Sequence, residues 1–168
     1  LGYSAHAIHN HRGVFYQRNT VFANLGFDTF TSLEYMSNVV KTPRNWAKDH
    51  VLIDEILTAL DSTENADYIY TISVHGKYPT EQVLENPKIA VTEAPTEALK
   101  WQYEYYVNQI QEMDRFVENL TEELSKRSEK TVLVMYGDHL PALDMTEQDV
   151  ASGDLYKTEY LIWSNFKM

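Results

Sequence analysis

The sequence predicts an α/β fold in which a mainly parallel sheet is flanked by helices. Three observations lead to this prediction. Short apolar segments alternate along the chain with longer segments of helical periodicity. Two of the short segments, residues 67–74 and 131–136, are too apolar for a sheet that has one face in water. Strands that are separated by helices form parallel sheets with right-handed crossovers.

Five segments are predicted to be extended. Residues 4–8 alternate weakly between apolar and polar side chains, and residues 27–30 form a short extended piece. Residues 67–74 are the clearest strand because they are rich in β-branched and aromatic side chains. The remaining strands are predicted at residues 131–136 and 160–163.

Three helices are predicted between these strands. The first spans residues 14–25 and ends at Gly26. The second begins after Asp49, which is placed to cap its N-terminus, and continues through Leu60. The third is long: Pro95 precedes it, and its apolar stripe runs over residues 96–126.

Length and composition limit what the chain can be. Its 168 residues are enough for one compact unit, residues 1–168, with a sizeable core. The net charge of −11 argues against a nucleic-acid partner, because phosphate backbones are bound by clustered Lys and Arg. The absence of cysteine excludes disulfides, thiolate metal sites and cysteine nucleophiles. Both ends of the sequence suggest that it is part of a longer chain.

Asp138 and His139 follow the apolar strand at residues 131–136 directly, after Gly137. In α/β proteins, ligands bind beyond the carboxyl ends of parallel strands. A carboxylate oxygen and an imidazole nitrogen together suit zinc or manganese. The alternative is an Asp that caps a helix, beside a surface histidine.

His75 follows the strand at residues 67–74 in the same way. In a parallel sheet, two such strand ends would lie on one edge, so His75 is a second candidate for the site; otherwise it is a loop histidine. The third group is His9 with Tyr16 and Arg18. An arginine near a helix N-terminus suits an oxyanion, although a surface arginine beside a polar loop would give the same pattern.

Taken together, these groups resemble the lipoteichoic acid synthase and phosphoglycerol transferase branch of the sulfatase/alkaline phosphatase superfamily. The run Tyr-Gly-Asp-His-Leu-Pro at residues 136–141 is similar to the metal-binding strand end of that family. Residues 9–18, followed by Leu-Gly-Phe-Asp at 25–28, resemble its histidine-to-arginine block. Residues 71–79 and the helix that contains Met-Asp-Arg at 113–115 resemble two further blocks, in the family's order.

The resemblance implies roles for these residues. Asp138 and His139 would be two ligands of a divalent cation, Mn²⁺ or else Zn²⁺ or Mg²⁺. His9, Arg18 and His75 would bind a phosphoryl group or glycerol phosphate, and Tyr16 would line the pocket. In family members, a threonine bound to the metal attacks a phosphodiester and becomes phosphorylated.

The same resemblance implies that the chain is the C-terminal part of a sulfatase-like catalytic domain, truncated at both ends. The nucleophilic threonine and a glutamate ligand would lie upstream, so no catalytic nucleophile is expected here and the chain alone is expected to be inactive. The parent protein would be membrane-anchored and would act on phosphatidylglycerol, or a glycerol-phosphate polymer, at the extracellular face of the bacterial cell membrane. Alternatives are a sulfatase, a phosphodiesterase, a phosphoethanolamine transferase, or a non-catalytic module that binds glycerol phosphate.

Overall fold

A computed structural model of the chain describes residues 2–74 and 76–167. Five strands and three α-helices are found in these ranges, and they confirm the predicted α/β class. The chain divides into two compact units, residues 1–76 and 77–168. His75, one of the predicted site residues, lies outside the described residues.

The first unit is built on a parallel sheet of three strands. These are β1 (Tyr3–His9), β2 (Thr29–Ser32) and β3 (Ala66–Ile72), in the order β2-β1-β3. The central strand β1 carries the core of the sheet, because its side chains become buried toward its carboxyl end. At that end, His9 is paired in register with Ser32 on one side and with Ile72 on the other.

Two helices flank this sheet. Helix α1 (Arg18–Asn24) packs on β2 and buries Phe22, whereas α2 (Val51–Leu60) packs on β1 and β3. The buried face of α2 includes Leu52 and Ile56, which lie four positions apart and therefore on one side of the helix. The predicted arrangement of a parallel sheet with flanking helices is therefore confirmed for this unit.

The prediction of one helix over residues 14–25 is wrong in its first part. A single 3-10 turn covers Phe15–Gln17, and the α-helix begins only at Arg18. Within the 3-10 turn, Tyr16 and Gln17 take left-handed backbone conformations, with φ of 52° and 55°. Neither residue is a glycine, so apolar periodicity gave no signal of this break.

Asp49 does not have the predicted capping role. The residue that precedes α2 is His50. The Asp49 carboxylate is buried and accepts a hydrogen bond of 2.8 Å from Nδ2 of Asn10. A tertiary hydrogen bond thus replaces the local cap that the sequence suggested.

The second unit contains α3 (Glu97–Ser125) and a pair of strands, β4 (Val132–Tyr136) and β5 (Tyr160–Ser164). The long helix begins one residue later than predicted, at Glu97, and Thr96 caps it: its side chain accepts a hydrogen bond from the Leu99 amide. The strands differ from the prediction: β5 runs antiparallel to β4, and alternate side chains of β4 are exposed. Within the described ranges, no helix is both long and apolar enough to cross a membrane.

The irregular segment before α3 is held on that helix by two buried side chains. The Oδ1 atom of Asn108 accepts from the amides of Lys88 and Ile89, at 2.8 and 3.1 Å. Its Nδ2 atom donates to the carbonyls of Ile89 and Glu104, both at 2.7 Å. The Glu104 carboxylate accepts from the amide of Val91 at 3.1 Å. These bonds satisfy backbone groups that have no strand or helix of their own.

Candidate functional site

The candidate site in the first unit is formed at the carboxyl end of the central strand β1. His9 is the last residue of that strand and is fully buried. The segment that follows, with Asn10 and His11, leads into the turn that carries Tyr16 and Arg18. Of the sequence-predicted residues, the structure therefore brings together His9, Tyr16 and Arg18 at the sheet edge where α/β proteins bind ligands.

Both ring nitrogens of His9 have partners in the protein. Nδ1 lies 2.9 Å from the carbonyl oxygen of Ile72, and Nε2 accepts a hydrogen bond from Nη1 of Arg18. Burial lowers the pKa of His9 from 6.5 to about 4. The Ile72 carbonyl opposes this shift, whereas the neighbouring Arg18 and His11 add to it. The imidazole is consequently neutral at pH 7.

Arg18 is held beside this imidazole rather than extended along the surface. Its guanidinium carbon lies 5.5 Å from the ring centre of Phe15 and 5.7 Å from that of Tyr16, in cation–π contact with both. Among the described residues, His9 takes one of the five N–H groups of Arg18, and the other donors can bond to an oxyanion. Arg18 thereby supplies a fixed positive charge in a chain whose net charge is −11.

Aromatic side chains form the wall around these polar groups. His11 packs between Phe15 and Trp46, with ring centres 4.3 and 5.0 Å away. Burial lowers the pKa of His11, and the charges of Arg12 and Arg18 act in the same direction. Among the described residues, the buried Nδ1 atom of His11 has no hydrogen-bond partner. A second imidazole is thus kept neutral beside Arg18.

The contribution of Trp46 was not predicted from the sequence. Its nearest partner in this wall, His11, lies 35 positions earlier, and a lone tryptophan in a loop carries no periodic signal. Phe15 lies within residues 14–25, which the sequence predicts as one helix, but in the structure it belongs to the 3-10 turn and packs near the rings of His9 and His11. The one sequence signal for this aromatic wall is that Phe15 and Tyr16 follow closely after His9 and His11.

Two sets of hydrogen bonds fix the segment between β1 and α1. Asn10 is buried and donates through Nδ2 to the Ala47 carbonyl at 3.2 Å, in addition to Asp49. The amide of Gly13 donates to the carboxylate of Glu34, which also accepts from the hydroxyl of Ser32 at 2.7 Å. The Ser32 hydroxyl bond, followed by bonds from backbone amides, lowers the pKa of Glu34 and keeps it ionised.

Gly13 also has a steric reason to be a glycine. A Cβ atom there would lie 3.0 Å from the hydroxyl oxygen of Ser32 and 3.4 Å from the ring of Phe30. The strap from His9 to Arg18 consequently lies directly against β2.

Asp138 and His139 lie in the second unit, directly after β4. Their side chains are exposed by 81% and 77%, and Oδ1 of Asp138 is 3.6 Å from Nε2 of His139. The Nδ1 atom of His139 donates to the Leu140 carbonyl at 2.7 Å, which leaves Nε2 with a lone pair for a metal.

This pair fits a divalent cation as two of its ligands. Ligand atoms about 2.1 Å from one ion lie roughly 3.0–3.5 Å apart, close to the separation seen here. Over residues 2–74 and 76–167, however, no group of three or more His, Asp or Glu side chains is arranged to hold a metal. The pair therefore supplies an incomplete coordination set.

The sulfatase family model matches residues 1–168 of this chain. A protein of Rhizobium meliloti (strain 1021), whose name refers to cyclic beta-1,2-glucan modification, is 28% identical over 181 residues. That alignment covers 98% of this chain but only 28% of the other protein. The chain thus spans less than a third of the curated relative that it matches.

Solved structures share the fold. The phosphoglycerol transferase GacH of Streptococcus pyogenes, solved in complex with sn-glycerol-1-phosphate, matches with a TM-score of 0.74 and 22% identity, over 98% of this chain and 44% of that one. The lipoteichoic acid synthase LtaP of Listeria monocytogenes matches with a TM-score of 0.68 and 20% identity, over 96% and 43%. An alkaline phosphatase superfamily protein of Vibrio parahaemolyticus matches with a TM-score of 0.61 and 15% identity, over 96% and 38%.

Proposed function

This chain belongs to the sulfatase family, and we propose that it is part of the catalytic domain of a metal-dependent phosphoglycerol transferase. The substrate is a phosphodiester lipid head group such as that of phosphatidylglycerol, or a glycerol-phosphate polymer. His9, Arg18 and His75 contribute to the binding of the phosphoryl or glycerol phosphate group, and Tyr16 lines the pocket. The fold relationship to GacH and LtaP supports this choice of substrate class over a sulfate ester.

The single observation that carries the proposal is the placement of Arg18. Its guanidinium is fixed by His9 and by two aromatic rings, at the carboxyl end of the central strand. A guanidinium held in this way is preorganised for the oxygens of a phosphoryl group and stabilises charge that develops there during transfer.

Asp138 and His139 are proposed as ligands of a divalent cation, with Mn²⁺ as the first candidate and Zn²⁺ or Mg²⁺ as the others. When bound, such a cation acts as a Lewis acid toward phosphoryl oxygens. The contribution of this chain is to orient the ligands, because the Leu140 carbonyl fixes the tautomer of His139. The nucleophile, the remaining ligands and any membrane anchor are proposed to lie elsewhere in a longer protein that acts at the extracellular face of the bacterial membrane.

Ligand binding by the 168-residue chain tests the role of Arg18. We expect sn-glycerol-1-phosphate to bind at millimolar concentration in an NMR titration and Arg18→Ala to weaken binding by about tenfold or more, since a charged hydrogen bond contributes about 1.5–3 kcal/mol. Arg115 is an exposed arginine on α3, so Arg115→Ala is the matched control and should leave the affinity for sn-glycerol-1-phosphate unchanged. Equal affinity in wild type and Arg18→Ala, or no binding at all, would contradict the proposal.

The metal proposal has its own test. Two protein ligands leave a cation short of its usual complement, so we expect the chain alone to bind Mn²⁺ weakly and to show no turnover. Titration calorimetry should detect weak binding of Mn²⁺ that is lost in His139→Ala. His50 is an exposed histidine in the other unit, and His50→Ala should leave this binding unchanged. Tight one-site binding of Mn²⁺ by this chain would overturn the idea that the coordination set is incomplete.

A longer protein that contains this chain would test the reaction itself. We expect it to cleave phosphodiesters of glycerol in preference to sulfate esters, because the proposed substrate carries a glycerol phosphate group. A preference for sulfate esters would favour the sulfatase alternative. Binding without turnover in the complete protein, at saturating Mn²⁺, would favour the non-catalytic module.

A further inference from the structure

The hydrogen bonds of His9 determine where its proton lies. The Ile72 carbonyl oxygen can only accept, so Nδ1 must carry the hydrogen in the 2.9 Å bond between them. The guanidinium of Arg18 can only donate, so Nε2 must offer a lone pair. Both requirements are met by one species, the neutral imidazole with its hydrogen on Nδ1.

The groups that face His9 oppose a second proton. Arg18 approaches from α1 and His11 from the segment after β1, and both disfavour an imidazolium. The carboxylate of Glu34 is directed elsewhere: it is bonded to Gly13 and Ser32, not to His9. Burial of the ring acts in the same direction as the two basic neighbours, and together they lower the pKa of His9.

The single N–H of neutral His9 is already donated to the Ile72 carbonyl, so no hydrogen remains for a phosphoryl oxygen. At neutral pH, the unprotonated oxygens of a phosphoryl group are acceptors, and so is Nε2. Direct contact between them would bring two lone pairs together and would also break the bond to Arg18. The guanidinium, in contrast, keeps donors free after it has bonded to His9.

We infer that His9 is a positioning residue, which holds the guanidinium of Arg18 through a lone pair on Nε2 and does not itself donate to the bound phosphoryl group. This inference rests on the proposed function, because it assigns the roles within the proposed phosphoryl site. The imidazole is fixed by the backbone of β3, and Arg18 is fixed by the imidazole. The orientation of the charge that meets the ligand is thus set by the sheet.

Nitrogen NMR of the histidine rings in the 168-residue chain tests the inference directly. We expect Nε2 of His9 to be unprotonated at pH 7, with the hydrogen on Nδ1, both in the free chain and with saturating sn-glycerol-1-phosphate. The signal is assigned by its absence from the spectrum of His9→Gln. Protonation of Nε2 when the ligand is added would overturn the inference while leaving the proposed binding function intact.

Arg18→Ala supplies the second measurement. Loss of the guanidinium should change the chemical shift of Nε2 of His9 and leave Nδ1 bonded to Ile72, whether or not a ligand is present. An unchanged Nε2 shift would contradict the positioning role. If the ligand changes no resonance of the wild-type chain, the proposed function fails, and the free-chain spectra of wild type and Arg18→Ala still decide whether His9 holds Arg18.

Affinity provides a third readout. His9→Ala removes the acceptor and should weaken binding of sn-glycerol-1-phosphate by about tenfold, whereas His9→Gln, whose amide oxygen can accept from the guanidinium, should stay within about threefold of wild type. The double variant His9→Ala/Arg18→Ala should bind no more weakly than Arg18→Ala alone, since a residue that acts only through Arg18 has no effect once Arg18 is gone. A further loss in the double variant would show an independent contact and overturn the inference.

Discussion

Gly76 lies so close to the indole ring of Trp46 that a Cβ atom at position 76 would overlap the ring. The same indole packs against His11, with 5.0 Å between ring centres. The chain segment that follows β3 is therefore linked, through one tryptophan, to the aromatic wall beside Arg18. The absence of a side chain at position 76 is a packing requirement of the candidate site.

Gly76→Ala should consequently displace Trp46. Overpacking of this kind costs about 1–3 kcal/mol, and we expect the urea midpoint to fall and the fluorescence of Trp46 to change. Gly137→Ala is the matched control, because a Cβ there would meet Thr158 at an ordinary distance of 3.7 Å. If Gly76→Ala is as stable as Gly137→Ala, the close packing of Gly76 on Trp46 is not present in solution.

The lowered pKa of His9 makes stability depend on pH. The ordinary value of 6.5 applies to the unfolded chain and about 4 to the folded one, so the unfolded chain binds a proton first as the pH falls. The free energy of unfolding should therefore be highest above pH 6.5 and decrease between about 6.5 and 4, by at most about 3 kcal/mol from this residue.

Urea unfolding at pH 7.5, 6.0 and 5.0 measures this decrease. His11 also has a lowered pKa and contributes in the same direction, so the comparison with His9→Gln isolates the contribution of His9. The variant should show a clearly smaller loss of stability between pH 7.5 and 5.0. Parallel curves for the two proteins would mean that His9 is not kept neutral by the fold.

The left-handed conformation of Gln17 predicts a substitution that stabilises the chain. A left-handed backbone costs an ordinary L-residue about 1–2 kcal/mol, whereas glycine adopts it freely but loses more entropy on folding. We expect Gln17→Gly to be more stable than Gln17→Ala by about 1 kcal/mol in urea unfolding.

Thr20 provides the control for this comparison. It is exposed in the regular part of α1, where glycine should be less stable than alanine by about 1 kcal/mol. The glycine-minus-alanine difference should thus have opposite signs at positions 17 and 20. The same sign at both would show that Gln17 is helical in solution.

The hydrogen bonds of Asn108 should protect the segment before α3 from proteolysis. Asn108→Asp replaces two donors with acceptors that face the carbonyls of Ile89 and Glu104, in a buried position. We expect a loss of about 3 kcal/mol and faster proteolytic cleavage within residues 81–92. Asn119→Asp, at an exposed site on the same helix, should change neither. Unchanged cleavage in Asn108→Asp would mean that the segment is held by other contacts.

The elements that the sequence predicted correctly are those with a strong local signal. The strand β3 and the long helix α3 could be predicted from residue composition and apolar periodicity, because these depend on neighbours in the chain. The sequence also grouped His9 with Arg18, nine positions later, and the structure brings these two side chains into contact.

The parts that could not be predicted depend on tertiary contacts. Nothing in the sequence around Tyr16 and Gln17 marks a break in the helix, because neither residue is a glycine or follows a proline. Asp49 has the local pattern of a helix cap, but its carboxylate instead accepts a buried hydrogen bond from Asn10. The apolar composition of β4 suggested burial on both faces, whereas the structure leaves Val132, Val134 and Tyr136 exposed.

The bond between His9 and Ile72 also has a consequence for the order in which the site is assembled. The aromatic wall and the strap that carries Arg18 draw on residues 9–46, so most of their contacts are between residues close in the chain. The Ile72 carbonyl is 63 positions from His9 and arrives only when β3 joins the sheet. Contacts of long sequence separation form late, because a large loop must first be closed. Until then the two neutral tautomers of the imidazole compete, and the ring can present either a lone pair or a hydrogen to Arg18. Docking of β3 selects the tautomer with the hydrogen on Nδ1. The backbone of this strand thus determines that His9 presents a lone pair to Arg18, although no described side chain of β3 lines the pocket.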